Sequence, residues 1–170
     1  RDWSVTGVQT CALPILKLTI LGIGKARKTP EAELWANWLS RCPFPTHMQE
    51  FESRLPTGSA RTKDESKKLL SYISQSSGSP KRLISLDPNG VNISSEELAD
   101  IIGHWRADGI SQCFFAIGGA DGHHPDLLKE ADKKIAFGRA IWPHMLCRAM
   151  LAEQLYRAEM ILARHPYHRG

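Results

Sequence analysis

No stretch of this 170-residue chain reaches the roughly 18 consecutive apolar residues that a membrane span requires. The four cysteines, Cys11, Cys42, Cys113 and Cys147, form no C-x-x-C pair, which argues against zinc-ribbon and thioredoxin-type motifs. Cys113 and Cys147 instead lie inside apolar runs, as small buried hydrophobes do in a reducing compartment, so the protein is expected to be cytoplasmic. There is no G-x-x-x-x-G-K-S/T phosphate loop, which disfavours ATP and GTP chemistry. Gly22-Ile23-Gly24 and Gly118-Gly119 with Gly122 both fall short of the G-x-G-x-x-G dinucleotide fingerprint. A G-x-S-x-G hydrolase elbow is also missing. His123-His124 and His144 invite a metal reading, but adjacent histidines point apart and no third ligand shares a helical face with them. No metal is expected.

What is present is an ordinary globular composition, 42% apolar and 24% charged, which excludes a disordered tail, a coiled-coil rod and a collagen-like repeat. The length suits one domain, and neither an internal repeat nor a second-domain boundary appears. A chain of about 150 residues buries roughly 68–70% of its unfolded surface, so its core needs no disulfide or structural metal. Against 22 Lys and Arg stand 18 Asp and Glu, a net charge of +4 that permits an acidic partner such as RNA. The opening string RDWSVTGVQTCALPI, Arg1 to Ile15, stands apart. Asp2, Gln9 and Pro14 spoil a signal peptide, and no periodicity links the string to a core element. It resembles translated sequencing-adapter read-through. Residues 1–15 are therefore expected to be a non-native leader, and 16–170 a single domain.

Beyond the leader, strand and helix signals alternate. Leu16 to Gly24 is β-branched and apolar and stops on glycine, a strand signature. Thr29-Pro30-Glu31 opens a helix that Pro43 and Pro45 terminate, and Thr46 to Phe51 is a further strand. Thr62 to Glu65 reads as a capping box ahead of a helix carrying Leu69, Leu70 and Ile73. Ser74 to Pro80 is a loop, and Arg82 to Leu86 a short strand closed by the turn Asp87-Pro88-Asn89-Gly90. Ser94 to Glu97 is a second capping box. Gln112 to Ile117 is a nearly unbroken apolar run, the mark of a strand covered on both faces. Pro125 starts a short helix, Lys134 to Phe137 forms a last strand, and a long helix runs from Pro143 to about Arg164. This order implies an α/β domain with a mostly parallel sheet flanked by helices.

In such sheets a ligand sits outside the carboxyl ends of the strands, here the loops after Leu86, Ile117 and Phe137. Gly118-Gly119 leaves backbone groups open to a ligand, or makes a plain tight turn. Lys25 and Arg27, just past the first strand, are candidates for RNA phosphate contacts. The terminal Tyr167-His168-Arg169 combines an aromatic, an imidazole and a guanidinium, groups that hold a nucleobase, although a frayed tail is the ordinary expectation.

Several of these residues, in this order, carry a resemblance. Leu86-Asp87 with Gly90, Phe115 to Gly122 (FAIGGADG), Trp142-Pro143-His144, the run Arg148…Glu153-Gln154-x-Tyr156-Arg157-Ala158, and the terminal Tyr167-His168-Arg169 resemble the RlmH family of the SPOUT superfamily. The likeness runs from about Leu16 to Arg169. It implies a C-terminal trefoil knot, contrary to the usual avoidance of threaded chains. It further implies a methyltransferase using S-adenosyl-L-methionine on N3 of a pseudouridine in the helix 69 region of 23S ribosomal RNA, within the assembled ribosome. The cofactor contacts it implies are Leu86, Gly118, Phe137, Gly138, Arg139, Ala140, Ile141 and Trp142. Family members are homodimers that meet along the C-terminal helix and complete each site across subunits. Met145 stands where the family often has glutamine, and Gly138 and Ala140 where serine and methionine are often seen.

For the chemistry, the resemblance nominates His168 as the base that takes the N3 proton, with Arg139 or Arg169 stabilising the developing anion as the other options. Tyr167 and Arg169 join Lys25 and Arg27 as candidate RNA contacts. The rival reading is a non-catalytic ribosome- or RNA-binding module of the same fold. The intact Gly118-Gly119 loop and the terminal Tyr-His-Arg argue against it.

Overall fold

The computed structural model describes residues 15–167. The expected leader, apart from exposed Ile15, and the candidates His168 and Arg169 lie outside the described residues. Ten elements alternate: β1 (Lys17–Ile23), α1 (Pro30–Arg41), β2 (Thr46–Phe51), α2 (Ser59–Gln75), β3 (Lys81–Asn92), α3 (Ser95–Ala107), β4 (Gln112–Ile117), α4 (Pro125–Glu130), β5 (Lys133–Ala136) and α5 (His144–Leu162). The strands form one all-parallel sheet in the order β2-β1-β4-β3-β5. Helices α1, α3 and α5 cover one face, where Trp35, Leu98, Ile102, Leu151 and Leu155 pack on Leu18, Ile20, Ile84, Cys113 and Phe115. Helices α2 and α4 cover the other, where Leu69 and Leu127 pack on Leu21, Leu83, Phe114 and Ala116. β4 lies at the centre, so all six of its residues are buried and its apolar run needs no alternation.

Local chemistry sets most element ends. The Thr29 hydroxyl accepts the Ala32 N–H at 3.2 Å and Pro30 takes the first turn of α1. At α3 both halves of the Ser94–Glu97 capping box are formed. Two expectations need correction. The first concerns α2, which starts at Ser59, a turn before the supposed capping box. Gly58 caps it at φ +123°, without a side-chain bond. Thr62 instead donates its hydroxyl to the Ser59 carbonyl, and Glu65 pairs with Arg61 at 2.8 Å, so both residues serve the helix interior.

The second concerns β3, which does not stop at Leu86. It makes an excursion through Asp87–Gly90 and resumes, so Leu86 and Val91 both pair with Ile135. The expected turn chemistry is present, since Asp87 Oδ1 accepts the Asn89 N–H at 2.8 Å. Gly90 is required there, because a Cβ would stand 2.6–2.8 Å from the Ile135 backbone. Asp132 ties β5 in place, its carboxylate accepting the Leu83 N–H at 2.7 Å.

Candidate functional site

A cleft of about 800 Å³ opens at the carboxyl ends of β3, β4 and β5, where ligands of parallel sheets bind. Seven of the eight residues expected to hold the cofactor line it: Leu86, Gly118, Phe137, Gly138, Ala140, Ile141 and Trp142. Arg139, between two lining residues, is exposed and does not line the cleft. The segment after β5 is braced from both sides. Gly138, at φ +87°, donates its N–H to Asn92 Oδ1 at 3.1 Å, and the Trp142 indole N–H donates to the Phe137 carbonyl at 2.9 Å. Opposite it, Gly118 is buried at the end of β4, and Gly122 N–H donates to the Gly119 carbonyl at 3.1 Å. A Cβ on Gly118 would lie 2.8 Å from Gly122 C, so the close approach that demands glycine here is made by the chain's own turn.

Two histidines that spacing alone did not assign to the cleft also line it. His123 shares a 3.1 Å hydrogen bond between Nε2 and the Ala116 carbonyl, which makes Nε2 the donor and leaves Nδ1 an acceptor. Burial lowers its pKa from the ordinary 6.5, against a smaller opposing effect of that bond. His144, the first residue of α5, is lowered by burial first and by the Arg148 charge second. His124 has a different job, its Nδ1 accepting the Asp126 N–H at 3.3 Å to cap α4. Among the described residues no group of three or more His, Cys, Asp or Glu is placed to hold a metal. The signal for His123 was its place directly after the glycine turn; for His144 it was its position at the start of a helix that follows a site loop.

The candidate RNA contacts divide. Lys25 and Arg27 are exposed on the β1–α1 loop. That loop neighbours the cleft wall, since a Cβ built on Gly24 would lie 3.6 Å from His144 Nε2. Tyr167 lies elsewhere, packed edge-on to Trp38 and Tyr156 with centroids 6.2 and 5.0 Å away, and its hydroxyl donates to Glu153 Oε1 at 3.0 Å. Burial first, then that bond and the Glu153 charge, raise the Tyr167 pKa. Trp38 and Glu153 in turn border an apolar groove of about 580 Å³ between α1, α3 and α5, with Leu34, Leu146 and Met150. Among the described residues no helix is long and apolar enough to cross a membrane.

Comparison with known proteins gives this geometry a family. The family model described as "Predicted SPOUT methyltransferase" matches residues 16–168. The ribosomal RNA large subunit methyltransferase H of Novosphingobium aromaticivorans is 42% identical over 152 residues, 89% of this chain and 97% of that protein. Its namesake from Sphingopyxis alaskensis is 43% identical over 155 residues, 89% and 96% of the two chains. A solved structure of a probable methylase family protein from Haemophilus influenzae superposes with a TM-score of 0.51 at 7% identity, covering 93% of this chain and 72% of that one. At that identity it speaks for the fold alone. With its parallel five-stranded sheet, its cleft at the strand ends and these relatives along most of its length, the chain belongs to the SPOUT methyltransferase family, in the RlmH branch.

Proposed function

We propose that this protein is a large-subunit ribosomal RNA methyltransferase, using S-adenosyl-L-methionine to methylate N3 of a pseudouridine in the helix 69 region of 23S ribosomal RNA, on the assembled ribosome. The observation that carries the reading is the convergence of seven resemblance-nominated residues from three separate loops on one cleft. The residues fit the cofactor in kind: apolar walls from Leu86, Ile117 and Ile135 suit an adenine ring, and loop backbone at Gly118–Gly122 and Phe137–Trp142 can meet its polar edges. When bound, the cofactor supplies an activated methyl group on a sulfonium leaving group. The work left to the protein is to hold N3 in line at about 3–3.5 Å from that carbon and to help it lose its proton. His168 is the proposed base; Arg139 or Arg169 is the proposed source of positive charge for the anion. His123 and His144 contribute neutral imidazoles to the cleft wall.

Lys25, Arg27, Tyr167 and Arg169 are proposed to hold the RNA. A homodimer completes the reading, and the apolar groove beside α5, with Tyr167 packed against its lining residues Trp38 and Glu153, supports it. The trefoil knot belongs to the same proposal, supported by the way β5 lies pressed under Gly90 before the chain returns to α5. One experiment tests the whole: methyl transfer to unmodified ribosomes, to isolated subunits and to free 23S RNA, with calorimetry of S-adenosylmethionine binding. Methylation of ribosomes at one pseudouridine is expected. A protein that binds ribosomes but not the cofactor would be a non-catalytic module instead.

A further inference from the structure

Among the described residues, the bulkiest side chain wholly shut off from solvent is a cation, Arg148 on the second turn of α5. Its Nη2 donates to the carbonyls of Ile23 and, at 2.8 Å, Gly24, where β1 ends. Its Nη1 donates to Glu50 Oε1 on β2 at 2.7 Å. The same carboxylate oxygen accepts the Ala26 N–H at 2.8 Å. Trp35 packs against the guanidinium, 5.4 Å from ring centre to Cζ. Gly22 makes the room, since a Cβ there would stand 2.6 Å from Arg148 Nε. A buried cation is rarely the most stabilising filling for such a space, because the guanidinium is shut off from water and loses its hydration, although its partner Glu50 stays partly exposed. A long apolar side chain would fill it without that loss, but could not hold three carbonyl and carboxylate oxygens in fixed directions.

We propose that the Glu50–Arg148 pair is a positioning device that locks the β1–α1 loop, with Lys25 and Arg27, against the start of α5 and so fixes the RNA-facing cations relative to the cofactor cleft. The proposal rests on the reading of Lys25 and Arg27 as phosphate contacts. The geometry gives the lock both ends. On one side Glu50 holds Ala26, the residue between the two cations. On the other, Arg148 belongs to the helix whose first residue, His144, lines the cleft. Long flexible cations gain affinity for phosphate when their backbone is held beforehand, because less freedom is lost on binding. Neither Glu50 nor Arg148 lines the cleft, so the pair acts through the loop and not on the reacting atoms.

The test is a mutant cycle on the full chain with unmodified ribosomes as substrate. In Glu50→Ala, amide hydrogen exchange across residues 24–29 should accelerate and the KM for ribosomes should rise about tenfold, the order expected for a lost charge-assisted hydrogen bond. The kcat and S-adenosylmethionine affinity should hold, and Glu50→Gln, which keeps an acceptor for Ala26, should recover much of the loss. In a Lys25→Ala/Arg27→Ala background the Glu50 substitution should add nothing to KM. If Glu50→Ala does not fold, Glu50→Asp, one methylene too short to bridge, serves the same cycle. Unchanged loop exchange, or an equal KM penalty in both backgrounds, overturns the positioning role. If Lys25→Ala/Arg27→Ala leaves KM unmoved while loop exchange still responds to Glu50, the phosphate reading fails separately. The lock would then exist without the cargo assigned to it, and the proposal falls as stated.

Discussion

His123 and His144 stand partly buried on the cleft wall, and that burial puts both pKa values below the ordinary 6.5. On unfolding each ring returns to about 6.5, so the unfolded chain takes up protons first as the pH falls. Their contribution to stability is therefore complete above about pH 6.5 and is lost as the pH drops through the lower folded values. Buried Glu159 acts in the opposite sense, because burial raises its carboxyl and acid then favours the folded state. A substitution separates the two. His123→Gln, which can still donate to the Ala116 carbonyl, should flatten the decline in melting temperature between about pH 7 and pH 5. An unchanged slope by calorimetry would remove His123 from the acid response. Gly118 offers a second test, since its glycine is demanded by Gly122 at 2.8 Å. Gly118→Ala should lose about 1–3 kcal/mol of stability in urea as well as cofactor affinity. Lost affinity at full stability would mean that the turn yields at Gly122 and that the glycine serves the ligand. At this scale the helix caps were legible because Thr29 and Ser94 act within four residues of chain. Burial of Arg148 was not, since its partners lie 98 and 124 or more residues away.

Elements whose signal is continuous survived translation into structure, whereas one helix start and the far half of one strand did not. The apolar run of β4 and the Pro-initiated α1 and α4 came out as expected, because covering both faces of a strand or filling the first helical turn leaves a local trace. For α2, T-x-x-E at Thr62 mimics a start that Gly58 makes earlier through its backbone alone. The second half of β3 was invisible for another reason. Val91 is 69% exposed, and only β5, more than forty residues on, pairs with it across the excursion. That excursion forms one wall of the cleft, through Leu86 to Asn89. Gly90→Ala should therefore strain β5 through the Ile135 backbone and lower stability by about 1–3 kcal/mol. Because the β3–β5 contact carries two cleft walls, S-adenosylmethionine affinity should fall with it. A stable variant with full cofactor affinity would mean that the excursion yields freely at Gly90.

Across the whole molecule, α5 does two jobs that helical spacing alone leaves merged. Leu151, Leu155 and Ala158 are fully buried against the sheet and so belong to the chain's own core. Leu146 and Met150, on another side of the helix, border the groove with Leu34 and Trp38. The apolar stripe was legible in the sequence, yet it could not tell these sets apart, because the division depends on where α1 and α3 land. A second copy of the chain is the proposed cover for the groove, since an isologous contact along α5 would bury it on both copies at once. Met150→Glu places a charge in that contact without touching the core residues. It is expected to yield monomers by analytical ultracentrifugation, with methyl transfer lost and melting temperature little changed. A wild-type monomer that methylates ribosomes would rule the dimer out. A mixed dimer asks the finer question of whether one site draws on two chains. One chain carries His168→Ala; the other carries an inactivating change in the Phe137–Trp142 loop. If the terminal segment of one chain serves the cofactor cleft of the other, one pairing in the mixed dimer has both intact parts, and it should recover about one working site per dimer. Sites built wholly within single chains would leave both defective, and mixing would recover nothing.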